Sequence, residues 1–252
     1  MSDDNYNECP GLDNAREREG KQRAQRIGFT ERGDAGLDLS WYPRRSEFDG
    51  LVLITKRLSK EFILKASNSN SLIHATITGW GGTPIEPNVK TLAESSVLFQ
   101  EAVEVLGAER VVLRIDPIIP TPEGVFRAEA VFKKLHTDLE KKTRVRISFL
   151  DNYPHVKTRF IAAGIQPLPY SFHAPLWQRQ ALLRKFPGAE VCGEPGLQCS
   201  GCLSAKDLEV LGLRQTTGQG MQRQTCHCLA SKTEVFSTRS PCAHGCLYCY
   251  WK

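Results

Sequence analysis

At 252 residues, 40% apolar and 24% charged, the chain can bury a good-sized core and has ordinary globular usage, which excludes a collagenous or wholly disordered protein. The net charge of +5 is modest but uneven: between 127 and 185, twelve basic residues stand against only Glu129, Asp138, Glu140 and Asp151. Such an excess either attracts nucleic acid or is the solvated face of surface helices.

Residues 1–40 mix acids and bases with almost no apolar periodicity, so they read as a flexible N-terminal segment. They lack the apolar run of a secretory leader, and no stretch of some eighteen apolar residues marks a membrane span; the expected location is cytoplasmic, away from membranes. The run LVLIT at 51–55 is apolar and β-branched and predicts a buried strand, followed by a short helix at 58–66. LIHATIT at 72–78 is a second strand stopped by Gly79, Trp80, Gly81 and Gly82, and 89–106 carries Leu92, Val97, Phe99, Val103 and Leu106 on one helical face. The alternation repeats with a strand at 111–115, a helix at 125–139, a strand at 145–150 (VRISFL), helices at 155–163 and 176–186, and a short strand at 189–191 that ends at Cys192. The stretch 212–220 reads as a loop.

Strands alternating with amphipathic helices predict an α/β protein of parallel βα repeats forming a partial, TIM-like barrel over 41–191, with a cysteine-rich region at 192–252 packed on it. In parallel α/β folds ligands sit at the C-terminal ends of the strands. Lys56, Trp80, Arg114, Asp116, Ser148, Asp151 and Glu194 each finish or follow a predicted strand and are expected to line one pocket.

Eight of the nine cysteines fall between Cys192 and Cys249; Cys9 stands alone and reads as a bystander thiol. In a reducing compartment such a cluster points to metal binding or catalysis rather than disulfides. Cys242, Cys246 and Cys249 form C-x3-C-x2-C, in which each of three thiolates can bind one iron of a 4Fe-4S cubane and leave the fourth iron open to S-adenosylmethionine. Cys199 with Cys202 (C-x2-C) and Cys226 with Cys228 (C-x-C) supply two ligands each, enough to close a tetrahedral zinc site, so a second metal, zinc or iron-sulfur, is expected, with Cys192 in the same region. His227 and His244 are possible substitutes as ligands, although a lone loop histidine is more often solvated. Zinc in place of iron stays open at this point, as does a non-enzymatic, zinc-stabilised nucleic-acid-binding protein using 127–185 for phosphate contacts.

The spacing of the last three cysteines, with aromatic Tyr248 before the third, looks like the signature loop of radical S-adenosylmethionine enzymes. The segments ITKRLSKEFI, TITGWG with EPN after it, ERVVLRIDPI, RISFLDNY, VCGEP, the CHC pair and CAHGCLYCY resemble, in order, the bacterial family named domain of unknown function 1848. That resemblance implies a radical-enzyme-like cysteine cluster at the C-terminus, with spore photoproduct lyases as the nearest functional analogy and the substrate unknown. It also implies that the family's motif positions fall on Lys56, Trp80 (where tyrosine is usual), Arg114, Asp116, Asp151, Cys192, Glu194, Cys226, Cys228, Cys242, Cys246 and Cys249. Trp80, Gly81 and Gly82 would then approach the cofactor's methionine end, while Lys56, Arg114, Asp116, Asp151 and Glu194 would hold cofactor or substrate. The family's S-R-R-T-D-I-P stretch finds only a weak counterpart in SWYPRRSEF at 40–48, an abbreviated start that implies either a missing first strand or a divergent, even inactive, relative.

Overall fold

A computed structural model describes residues 24–214, 219–220, 227–229, 232–238 and 242–251. Most of the flexible-segment expectation, together with Cys9 and Cys226, lies outside the described residues.

Seven parallel strands form a half-barrel in the order β6, β5, β4, β3, β2, β1, β9. They are β1 (Ile27–Phe29), β2 (Gly50–Thr55), β3 (Ser71–Thr76), β4 (Val111–Ile118), β5 (Arg144–Phe149), β6 (Glu190–Val191) and β9 (Lys232–Glu234), while β7 (Gln219–Gly220) and β8 (Cys228–Leu229) make a separate antiparallel pair. The expected parallel βα architecture with a cysteine-rich C-terminal region is therefore present.

Three findings differ from the expectations. A first strand does exist: β1 pairs in parallel with β2 and with β9. It is only three residues long and flanked by charge, so it has no periodicity of its own to read, and its partners stabilise it. Because β1 comes from 1–40 and β9 from 192–252, the boundaries at 41 and 192 do not separate the sheet from its appendages. Finally, the end of the 212–220 loop is β7.

The strands alternate strictly. Leu51, Leu53, Ile73, Ala75, Val111, Leu113, Ile115, Val145 and Ile147 face one way, into a core shared with Phe62, Phe99, Val103, Val131 and Phe132 of the covering helices and with Phe186 just after the last of them. Those helices are α1 (Lys60–Ser67), α2 (Leu92–Leu106), α3 (Pro122–Phe132) and α5 (Leu176–Leu183). Their starts follow local chemistry: Ser59 caps α1, Thr91 and Glu94 form a capping box on α2, and Thr121 caps α3 with Pro122 next to it.

The opposite, concave face is mixed. Ile27, Phe29, Val52 and Leu72 pack there with Leu203, Leu208 and Leu211 around α6 (Ala205–Val210), whereas His74, Arg114, Arg146 and Ser148 are buried polar groups at neighbouring positions. Arg146 answers this burial by bonding Glu190 (Nε to Oε2, 3.0 Å), Asp207 (3.2 Å) and the Cys202 carbonyl (2.9 Å). Among the described residues, no helix is long and apolar enough to cross a membrane.

Candidate metal and cofactor site

The polar end of the concave face opens into a cavity of about 230 Å³ at the C-terminal ends of the strands. That is close to the lower end of the roughly 300–1,000 Å³ of small-molecule sites and far too small for a nucleic-acid duplex. Its wall includes Lys56 after β2, Arg114 and Asp116 on β4, Ser148 on β5, Asp151 after it, and Cys192 and Glu194 after β6. Cys202, Cys242, Cys246 and Cys249 line the same space.

Each polar wall residue is held by others. Arg114 is ion-paired with Asp116, which also accepts from the Ser148 hydroxyl. Burial would lower the Arg114 pKa, but Asp116, Cys202 and Cys192 outweigh it and keep the guanidinium charged. The Arg114 Nε is buried without a partner. Asp151 accepts from His173 Nδ1 at 2.7 Å. Glu194 accepts from the Phe149 N–H (2.7 Å) and from Arg179 (3.0 Å), yet burial pushes its carboxyl up to about 7.

Lys56 joins the sheet to the terminal cysteine loop, because its ammonium donates to Glu86 at 2.9 Å and to the Tyr248 hydroxyl at 2.7 Å. Burial alone would lower its pKa; the charge of Glu86 and the nearby Cys246 raise it instead. The segment 242–251 is fixed by further bonds to the loop carrying Ile85 and Asn88 and to one helix. Leu247 N–H donates to Ile85 O, and Asn88 Nδ2 to Ala243 O. Arg159, on α4 (Pro154–Ala162), donates to the carbonyls of Cys249 and Trp251 at 2.7 and 3.1 Å, and His155 Nε2 donates to that of Cys249 at 3.2 Å.

His244 is not a solvated loop histidine: it is buried, and its Nε2 donates to Asp34 at 2.7 Å. Asp34 also accepts from the Thr55 hydroxyl (2.6 Å) and the Lys56 N–H (2.7 Å). Burial would raise this carboxyl; the bond from His244 and the others prevail and hold it below its usual value.

Trp80, Gly81 and Gly82 do not line the cavity. Trp80 is buried in a cluster with Ile85, Leu150 and Tyr248 and is covered by the Arg127 guanidinium 4.5 Å from its ring centre. Gly81 bridges to Glu86, and Gly82 N–H donates to Glu86 O, so these residues shape the loop that presents Glu86 to Lys56.

The cysteines fall into two groups. Cys242, Cys246 and Cys249 are free thiols at the cavity mouth. Burial pushes Cys246 up to about 12 against the opposing pull of Lys56, and burial also raises Cys242. Cys192, Cys202 and Cys228 lie deeper, with Cys192 Sγ 3.0 Å from Cys202 Sγ. The expected pairing of Cys199 with Cys202 is not what the fold brings together: Cys199 Sγ accepts from the Glu194 N–H at 3.3 Å instead. Cys226 lies outside the described residues, and His227 is exposed.

The basic stretch is not a continuous surface. Arg146 and Arg179 are buried, Arg144 pairs with Glu190 and Asp207, Arg127 covers Trp80, and Arg159 holds the terminal segment. Lys133, Lys134, Lys141 and Lys142 are exposed, but they precede β5 and so sit at the end of the sheet opposite the cavity.

No curated protein and no solved structure matches the chain. A family model described as Domain of unknown function (DUF1848) matches residues 43–251, most of the length, and the chain belongs to that family.

Proposed function

We propose that the cavity is the active site of a radical S-adenosylmethionine-type enzyme, with a 4Fe-4S cluster on Cys242, Cys246 and Cys249. The observation that carries this reading is that three free thiols and a set of oppositely charged groups line one small cavity at the catalytic end of a parallel half-barrel.

The donor set fits a cluster better than a lone ion. Among the described residues these three sulfurs are not a group within 4.8 Å of one another, as ligands of one ion would be, whereas a cubane takes each thiolate on a separate iron. When bound, such a cluster supplies the electron that splits the sulfonium cofactor into methionine and a carbon radical.

The chain's own residues would do the rest. Arg114 and Lys56 present positive charge suited to a carboxylate, while Asp116, Asp151 and Glu194 present acceptors suited to ammonium and hydroxyl groups. Asp34 fixes His244, and Lys56 fixes Tyr248, so the cysteine loop is positioned before any cofactor arrives.

The test is anaerobic purification and reconstitution followed by iron and sulfide analysis, visible spectroscopy and an assay for 5′-deoxyadenosine. Wild type should carry about four irons with matching sulfide and a brown absorbance bleached by dithionite. Cys246→Ala should lose both while circular dichroism stays unchanged; an unaltered iron content in that variant would overturn the assignment.

A further inference from the structure

On the wall of the same cavity lies a second set of metal-ligating atoms that the cluster reading does not use. The sulfurs of Cys202 and Cys228 and a carboxylate oxygen of Glu31 all lie within 4.8 Å of one another, and Cys192 Sγ is 3.0 Å from Cys202 Sγ. Cys228 is fully buried, and Cys192 and Cys202 are more than nine-tenths buried. These four residues come from four separate places: the loop after β1, the end of β6, the turn before α6, and β8.

Local structure brings them together. Gly201 has φ +74°, and a Cβ there would sit 2.7 Å from the His227 carbonyl carbon, so glycine lets the Cys202 turn press against the strand carrying Cys228. The Cys202 N–H donates to Cys228 Sγ at 3.0 Å, a bond that strengthens when the sulfur is a thiolate. Positive charge surrounds the group: Lys232 Nζ lies 3.1 Å from both Glu31 oxygens, and Arg146 bonds the Cys202 carbonyl. It offsets the excess negative charge that three thiolates and a carboxylate would place around a divalent ion.

We propose that Glu31, Cys202 and Cys228 bind a single zinc-type ion at the cavity wall, with Cys192, 3.0 Å from Cys202 but outside the group whose ligand atoms all lie within 4.8 Å of one another, swinging its sulfur in as the fourth ligand and so tying the two sides of the half-barrel together. Four ligands of which three are thiolates suit tetrahedral zinc, whose sulfurs at about 2.3 Å stand about 3.8 Å apart. A disulfide, at about 2.05 Å, would use Cys192 and Cys202 alone and give no reason for Cys228 and Glu31 to converge on Cys202. The ion's place in the topology states its role. Cys192 follows β6 at one edge of the sheet, and Glu31 follows β1 next to the other edge, so the ion closes across the open side.

The test is metal analysis of the full chain, expressed with added zinc and purified without chelator or oxygen. It compares wild type with Cys242→Ala/Cys246→Ala/Cys249→Ala, Cys228→Ser and Glu31→Gln. One zinc per chain is expected in wild type and in the triple variant, with the ion lost in Cys228→Ser and stripped faster by a chelator in Glu31→Gln. Cobalt loaded into the triple variant should show the charge-transfer and ligand-field bands of a tetrahedral thiolate site. Absence of stoichiometric metal from the triple variant, iron with sulfide in its place, or a Cys192–Cys202 disulfide in intact mass would each overturn the proposal. If Cys228→Ser does not fold, the triple variant and its cobalt spectrum decide alone. Because that variant lacks the terminal loop's thiols, the result is independent of whether the cluster reading stands.

Discussion

Replacing Lys56 by methionine removes the ammonium that bonds both Glu86 and Tyr248, and the cost follows from what is left behind. Glu86 is 1% exposed and Lys56 only 15%, so this pair is interior rather than superficial. Breaking a buried pair from one side costs about 3–5 kcal/mol, because the remaining carboxylate stays buried without its partner. Losing the bond to the Tyr248 hydroxyl adds about 1 kcal/mol. The partial exposure of Lys56 lets water reach the vacated space, so a total near 4 kcal/mol is expected. The second substitution is the informative one: in Lys56→Met/Glu86→Leu no orphaned charge remains, and stability should return to within about 2 kcal/mol of wild type. Urea unfolding of metal-free, reduced protein, followed by circular dichroism, measures the cycle. A single variant costing under about 1 kcal/mol, or a double variant no better than the single, would refute the account of Lys56 as the buried tie between sheet and cysteine loop.

His74 gives a pH prediction. Burial drives its imidazole down to about 4 from 6.5, so between those values the unfolded chain binds a proton that the folded chain does not, and stability falls as pH drops through that window. The loss amounts to about 3 kcal/mol in full, and His74→Phe should flatten it; an unchanged slope between pH 6.5 and 4 in that variant would place the dependence elsewhere. Two glycines should respond differently to alanine. A methyl on Gly81 would lie 1.9 Å from the Lys90 carbonyl oxygen, so Gly81→Ala should cost more than about 2 kcal/mol and loosen the Glu86 loop. Gly164 has open space at φ +70°, so Gly164→Ala should cost only the about 1–2 kcal/mol of a left-handed alanine, and thermal unfolding separates the two.

The apolar runs at 51–55, 72–78, 111–115 and 145–150 carry the strands because both faces of a parallel sheet are covered, and the rule that ligands sit at strand ends then places Lys56, Arg114, Asp116, Ser148, Asp151 and Glu194 around one cavity. What escaped local pattern is what depends on distant partners. β1 is held by pairing at both sides, and Asp34 acquires its role only when His244, some two hundred residues later, folds back on it. Arg146 reads as part of the basic stretch 127–185 until strand parity turns it, beside Arg114, onto the concave face with His74. The metal pairs show the limit most clearly. C-x2-C spacing says that Cys199 and Cys202 can reach one ion, not that they do, and here the turn gives Cys199 to the Glu194 backbone while the short strand β6 delivers Cys192 to Cys202. Spacing constrains the reach of neighbours in sequence; which sulfurs converge is decided by the sheet that carries them.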